Sequence, residues 1–240
     1  MTWSIIARDP LTGQFGIAVA TKFFAVGARV PYIAARFGGV ATQALVNPYY
    51  GIDGVRLLRE GREPREIVET LTAADEGRDS RQLHIMDARG RIASHTGREC
   101  VSWCGHIEGD GFSIAGNMLT GAGVLDETAT AFVANEKLPF ARRLIAAMLA
   151  GEAAGGDKRG KQSAALLIHG EEEWAALDLR VDDHADPLRE LERLEQASRA
   201  HWVPFRQFLP TRKNPAGITD RQTIDAGIQA SIKAAIAGEQ

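Results

Sequence analysis

Apolar residues run almost unbroken through two short stretches near the start of the chain, WSIIAR at 3–8 and FGIAVAT at 15–21. Between them stands Asp9-Pro10-Leu11-Thr12-Gly13, whose Asp, Pro and Gly carry turn chemistry, so the pair predicts a β-hairpin. A second pair, 31–37 and 40–46, is split by Gly38-Gly39. Strands this continuously apolar predict sheets covered on both faces. The period then changes. Val55, Leu57 and Leu58, followed by Ile67, Val68 and Leu71, recur at helical spacing, and Gly61 with Pro64 divides two helices. Strand patterns return at 82–87, 91–95 and 111–116. Helices follow at about 125–135 and 138–151, the second with Phe140, Leu144, Ile145 and Met148 on one stripe. Strands at 163–169 and 174–181 precede a helix opened by Asp186-Pro187, an N-cap with a first-turn proline, with Leu188, Leu191 and Leu194 inward.

Hairpin-linked strands alternating with paired helices predict an α+β fold: two stacked, mostly antiparallel sheets with helical layers outside both, an αββα sandwich over residues 1–203. Residues 204–240 read as a C-terminal extension. Its first part, 204–218, carries three prolines and little periodicity, which predicts a surface strap. Thr219 or Asp220 then caps a helix with Ile224, Ile228, Ile232 and Ile236 spaced by four. That stripe packs either on this chain or on a second subunit, and a homodimer contact is the favoured expectation.

Composition narrows the function classes. Hydrophobic residues at 45% and charged residues at 25% exclude disordered and fibrous chains. A net charge of −3 argues against binding nucleic acid through bulk charge. No apolar run is long enough to span a bilayer, and the first residues lack a basic segment followed by an apolar one, so no membrane anchor or secretory leader is expected. Two cysteines, Cys100 and Cys104, make no disulfide framework and fit a reducing, cytoplasmic setting.

The candidate chemistry starts at Thr2. A threonine hydroxyl is a poor nucleophile until a base takes its proton, and in a chain beginning at Thr2 its own α-amine can be that base. Such an amine titrates at about 7.7–8.0, so a neutral fraction exists near pH 7. The requirement is that Met1 be removed, which a small second residue permits; a retained Met1 leaves this amine acylated. Entry directly into a strand would hold the amine in place. Lys22, at the end of the second strand, is the first candidate for a cation near that amine, and Arg36, amid apolar neighbours, the second. In GGVATQALVNPYYG (38–51), Gly38-Gly39 lets backbone approach a ligand, while Thr42, Gln43 and Asn47 place polar groups in an apolar strand. They are substrate-binding candidates, with a turn at Asn47-Pro48 and backbone bonds from Gln43 as the structural alternative.

Further along, Asn117 ends a strand where its amide could donate to an oxyanion. His106 and Asp110 are a weaker catalytic pair, since Gly-Asp-Gly is ordinary hairpin chemistry. Cys100 and Cys104 with His95 and His106 match structural zinc poorly, because the cysteines are spaced C-x₃-C. Asp157 and Ser163, flanking a glycine-rich charged loop, are candidates to support the terminus. The acids of DLRVDDHADP (178–187) suit a helix start better than a metal. No metal or cofactor is called for.

The segments ARDPLTGQFGIAVATKFFAVGARVP, GVATQALVNPYYG, GDGFSIAGNML, AGGDKRGKQSAALL and DLRVDDHADPLRELERL together resemble the bacterial and archaeal family called domain of unknown function 1028. The resemblance runs in order from Thr2 to about residue 200. That family is grouped with the N-terminal-nucleophile hydrolases, the superfamily of proteasome β subunits and penicillin acylases. The resemblance implies the four-layer αββα sandwich and amide-bond hydrolysis by an N-terminal Thr, Ser or Cys, here Thr2. Lys22 falls near the strand end where proteasome-like members carry a charged triplet. This chain reads Ala-Thr-Lys there, without the aspartate, so Lys22 or Arg36 would have to supply part of that proton network. Gly116-Asn117 is similar to the Gly-Asn oxyanion hole of glutamine-dependent members, without their surrounding motif. Asp157 and Ser163 are similar in placement to an acid and a serine of the proteasome loop. The expectation is an amidohydrolase for a small amide or short peptide. The alternatives are a non-catalytic metabolite-binding protein on the same sandwich, with Met1 retained, or an assembly subunit using the 219–238 helix.

Overall fold

The computed structural model describes residues 2–238, with side chains described up to residue 234; the expectations that fall on Met1 and on the Ile236 side chain lie outside the described residues. The predicted hairpin is β1 (Thr2–Arg8) with β2 (Phe15–Thr21), antiparallel, Ile5 facing Ala18. Four further strands join it: β7 (Gly105–Gly109), β8 (Phe112–Asn117), β9 (Ser163–His169) and β10 (Ala175–Val181). The resulting six-stranded antiparallel sheet runs β10-β9-β2-β1-β8-β7. A four-stranded antiparallel sheet holds β3 (Pro31–Ala34), β4 (Gly38–Ala44), β5 (Arg81–Asp87) and β6 (Ile92–Thr96), in that order.

The two sheets stack face to face. Ile6, Ile17 and Val19 meet Ile33, Ala41 and Met86 between them. Burying each such aliphatic side chain stabilises the fold by about 1.5–3 kcal/mol. Outside the smaller sheet lie α1 (Pro48–Arg59) and α2 (Pro64–Ala73), whose Leu57, Leu58, Ile67 and Leu71 pack on Val40, Leu83 and Ile85. Outside the larger sheet lie α3 (Gly123–Ala134) and α4 (Phe140–Ala153). Gly16 makes that docking close: a Cβ there would stand 2.5 Å from Leu144 and 2.8 Å from Phe140. This is the four-layer αββα sandwich that the order of strands and helices predicted.

Strand alternation places the chemistry. Trp3 points to the α4 side, where it meets Gly151 and Gly156. Its neighbours Thr2, Ser4 and Ile6 therefore face the layer between the sheets, with Thr2 at the open end. The predicted strand 31–37 stops at Ala34, and Arg36 stands exposed in the turn at φ 71, so it is not the buried cation expected. The edge strand β7 went unpredicted because its sequence, GHIEG, is polar and only half-buried.

The chain divides into two compact units, one up to Leu191 and one from Glu192, with α5 (Pro187–Ser198) crossing the division. The second unit holds α6 (Trp202–Phe205) and α7 (Arg221–Gly238). Asp220 starts α7 by accepting from the Thr223 N–H at 2.8 Å and its hydroxyl at 2.6 Å. Among the described residues, no helix is long and apolar enough to cross a membrane.

Candidate functional site

Thr2 is the first described residue of β1, 7% exposed, with its hydroxyl donating to Thr21 Oγ1 at 3.2 Å. Both threonines line a cleft of about 270 Å³ between the sheets. One wall is the loop after β2 with its continuation, Phe23, Val26 and Val30; the other is the exit of β4, Ala44, Leu45 and Val46. Gln43 lies on the floor, and Arg29 and Arg81 complete the lining.

A buried polar network runs beneath Thr2. Ser4, two residues on and so on the same face, donates to Gln43 Oε1 at 2.8 Å and lies 2.9 Å from His84 Nε2. Ser4 has one hydroxyl proton, and Gln43 takes it. His84 Nε2 must therefore carry the proton in that contact, and Nδ1 accepts from the Ser113 hydroxyl at 2.9 Å. Burial, with a smaller contribution from His106, holds the His84 pKa down at about 3, so the ring is neutral near pH 7. Gln43 Nε2 donates on to Gln82 Oε1 at 2.8 Å and to the Ala115 carbonyl at 3.1 Å. The fully buried Gln82 donates to Thr96 Oγ1 and the Gly116 carbonyl, both at 2.9 Å. Such a network, each member bonded, fixes one register between the two sheets.

Several expected site residues do other work. Asn117 faces Thr2 across β1 and β8, but its amide donates to the Thr2 carbonyl at 3.4 Å and to Gln82 Oε1 at 3.0 Å. With both protons engaged inward, it is a strand clamp and has none left for an oxyanion. Lys22 is exposed; its ammonium donates to the Lys161 carbonyl at 3.0 Å. Gly38 and Gly39 lie at the start of β4, the opposite end from Gln43. A Cβ on Gly38 would come within 2.2 Å of the Met86 carbonyl, and one on Gly39 within 3.3 Å of Ile6 and Ile17. They serve close sheet packing and do not face the cleft. Thr42 and Asn47 turn to the helix side: Thr42 donates to the Asn47 carbonyl at 3.2 Å, and Asn47 caps α1 through the Tyr49 N–H at 3.1 Å. Of that group, Gln43 alone lines the cleft.

Asp157 and Ser163 support the cleft wall from behind. Asp157 accepts from the Lys22 N–H at 2.8 Å, and Ser163 accepts from the Val26 N–H at 3.2 Å while donating to the Phe23 carbonyl. His106 and Asp110 are both exposed, one in β7 and one in the hairpin turn that follows. Cys100 and Cys104 each donate to a backbone carbonyl, of Arg81 and Cys100. Among the described residues, no three acids, histidines or cysteines cluster to hold a metal. Sequence reasoning overlooked Ser4, Gln82, His84, Ser113, Arg29 and Arg81. Polar residues inside otherwise apolar strand runs were the available signal for Ser4, His84 and Ser113.

Arg81 is anchored by Asp75. That carboxylate accepts from Arg81 Nε at 3.1 Å, Tyr50 Oη at 2.9 Å, Asn47 Nδ2 at 3.2 Å and the Gly77 N–H at 2.8 Å. Burial alone would push the Asp75 pKa up; the Tyr50, Gly77, Arg81 and Asn47 donors outweigh it and bring it to about 2. A folded pKa below the ordinary 3.8 stabilises the protein above pH 3.8, and that stability is lost as pH falls through about 2. Asp75→Asn is expected to cost about 1–3 kcal/mol in urea unfolding at pH 7, because it leaves Arg81 without its anion.

Residues 2–191 match the model of a family described as "Family of unknown function (DUF1028)". Among solved structures, the chain is similar to protein SPO2555 from Silicibacter pomeroyi, assigned to the same family model. The TM-score is 0.85 and the identity 35%, over 92% of this chain and 96% of that one. It also aligns with Anbu (ancestral beta-subunit) from Yersinia bercovieri at a TM-score of 0.39 and 10% identity, over 87% and 98% of the two chains. Among curated proteins none matches.

Proposed function

The chain belongs to the DUF1028 family, and on that premise we propose that it is an amidohydrolase whose nucleophile is Thr2, freed as the terminal residue by removal of Met1. One observation carries the reading: Thr2 starts a buried core strand and lines a cleft with its side chain turned into the layer between the sheets. A nucleophile needs this combination of fixed backbone and an open approach.

The reaction follows from the groups at hand. Thr2 Oγ attacks the amide carbonyl carbon as its proton passes to the Thr2 α-amine. The amine's new proton then goes to the leaving nitrogen as the C–N bond breaks, leaving an ester on Thr2. Water, deprotonated by the same amine, opens that ester and releases the acid. The oxyanion needs a donor other than Asn117. The Val46 N–H, on the cleft wall, makes no hydrogen bond among the described residues and is the candidate. Gln43 and Thr21 orient the substrate and the nucleophile. His84 is too deep to act as base and instead fixes Ser4, and through it the strand that carries Thr2.

Intact mass with a turnover assay tests the reading. A sample of mass lacking Met1 is expected to hydrolyse at least one member of an amide panel, while a chain extended ahead of Thr2 is inactive. Equal activity with and without the extension would exclude the α-amine as base. A protein found only with Met1 retained favours the metabolite-binding alternative, for which the cleft's Gln43 and arginines remain suited.

A further inference from the structure

We propose that the amide accepted here carries a carboxylate, and that Arg29 binds it. The proposal rests on the reading of Thr2 only in taking the ligand to be an amide; the anion site itself stands on separate observations. The described lining of the cleft holds two arginines and no acidic side chain. Arg81 is engaged, with Nε on Asp75 and Nη1 donating to the Leu45 carbonyl at 2.6 Å. Arg29 is not so paired. Its Nη1 donates to the Phe24 and Ala25 carbonyls at 3.2 and 3.0 Å, and its guanidinium carbon lies 5.8 Å from the centre of the Phe23 ring. Among the described residues it makes no ion pair.

A guanidinium has five N–H donors, and among the described residues the Nε and Nη2 edge of Arg29 meets no acceptor. That edge is the fork that matches a carboxylate with two parallel hydrogen bonds. The two carbonyls and the Phe23 ring hold the guanidinium in place, so little freedom is lost when an anion arrives. A half-buried cation against an apolar wall is costly without a counter-charge, and a ligand carboxylate would supply it. Val26 and Val30 add apolar surface to the same lining as Arg29 and Thr2. The ligand this describes has an amide at one end, a carboxylate at the other and a short hydrocarbon segment between. A volume of about 270 Å³ suits a small metabolite and not a long peptide.

The test uses full-length Thr2→Ala protein, which cannot turn the probes over, and calorimetric binding of two matched pairs. Glutaric acid monoanilide against valeranilide places the carboxylate on the acyl side. 4-Acetamidobutyrate against N-butylacetamide places it on the amine side. In at least one pair the acid is expected to bind about tenfold or more tightly, and adding Arg29→Gln should abolish the preference. Arg29→Lys, which keeps the charge but not the fork, should retain only part of it, and it serves as the reading if Arg29→Gln does not fold. The proposal is overturned if neither pair shows a preference, including by failure of every probe to bind. It is equally overturned by a preference that survives in a folded Arg29→Gln protein. An Arg29-dependent preference in a protein that hydrolyses no amide would sink the hydrolase reading and leave the anion site standing. Equal hydrolysis of charged and neutral amides would do the reverse.

Discussion

Thr2→Ala is expected to reduce amide hydrolysis by at least about a thousandfold, to the level of an enzyme that binds without a nucleophile. The substitution removes one hydroxyl, with its hydrogen bond to Thr21 at 3.2 Å, from a residue that is 7% exposed. A neutral hydrogen bond contributes about 0.5–1.5 kcal/mol, so the variant should remain folded. Alanine in second position also leaves the removal of Met1 unaffected, which separates loss of the nucleophile from loss of processing. Initial rates on the amide panel, beside a urea unfolding curve, give the answer. Thr2→Ser should keep a measurable fraction of the rate, since it preserves both oxygen and amine. In the wild type, kcat/KM should rise with pH through about 7–8 as the α-amine loses its proton. Undiminished turnover by a folded Thr2→Ala protein would remove the nucleophile from this account.

Acid is expected to destabilise the protein in part through His84. The ring is held neutral, at a pKa of about 3, by burial first and by His106 second. In the unfolded chain it titrates at about 6.5. A depressed folded value means that the contribution is full above pH 6.5 and is lost progressively as pH falls toward 3. The unfolded chain gains a proton that the folded one refuses. The gap corresponds to roughly 5 kcal/mol at about 1.4 kcal/mol per unit, a large part of the stability of an ordinary domain. Stability of the wild type and of His84→Gln should be compared between pH 6.5 and 4.5, where Asp75 stays ionised in both. The wild type is expected to lose up to about 1.4 kcal/mol per pH unit more than the variant toward the acid end. Parallel curves for the two proteins would show that His84 does not titrate on unfolding.

Much of the fold was legible because it is built from local periods. WSIIAR and FGIAVAT could be read as a hairpin, since the turn residues between them and the apolar runs beside them are neighbours in the chain. The same holds for the helices over Leu57, Ile67 and Leu144. Of the residues that line the cleft, Thr2 and Gln43 were singled out from the sequence, Thr2 because a position and a strand start are both properties of the sequence. Around it, the choice among polar residues failed where the direction of a side chain mattered. Thr42 and Gln43 are adjacent and were read together. One step of strand alternation sends Thr42 to the helices and Gln43 to the cleft. Asn117 was read as an oxyanion donor at a strand end; it pairs with Thr2 across the sheet, and its amide protons are engaged by Gln82 and the Thr2 carbonyl. The cation was sought at Lys22 and Arg36; Arg29, which the cleft contains, was not singled out.

By itself, then, the sequence determined most of the elements, their order in an αββα sandwich and the family, and it singled out Thr2 as a candidate because that residue stands at the head of a strand. The tertiary structure alone decided which residues stand round Thr2. Ser4 reaches Gln43 39 residues away and His84 80 residues away. Such pairings depend on the register of one sheet over another, and no local period encodes them. A period states which face of an element is buried. Only the packed layers state what that face meets.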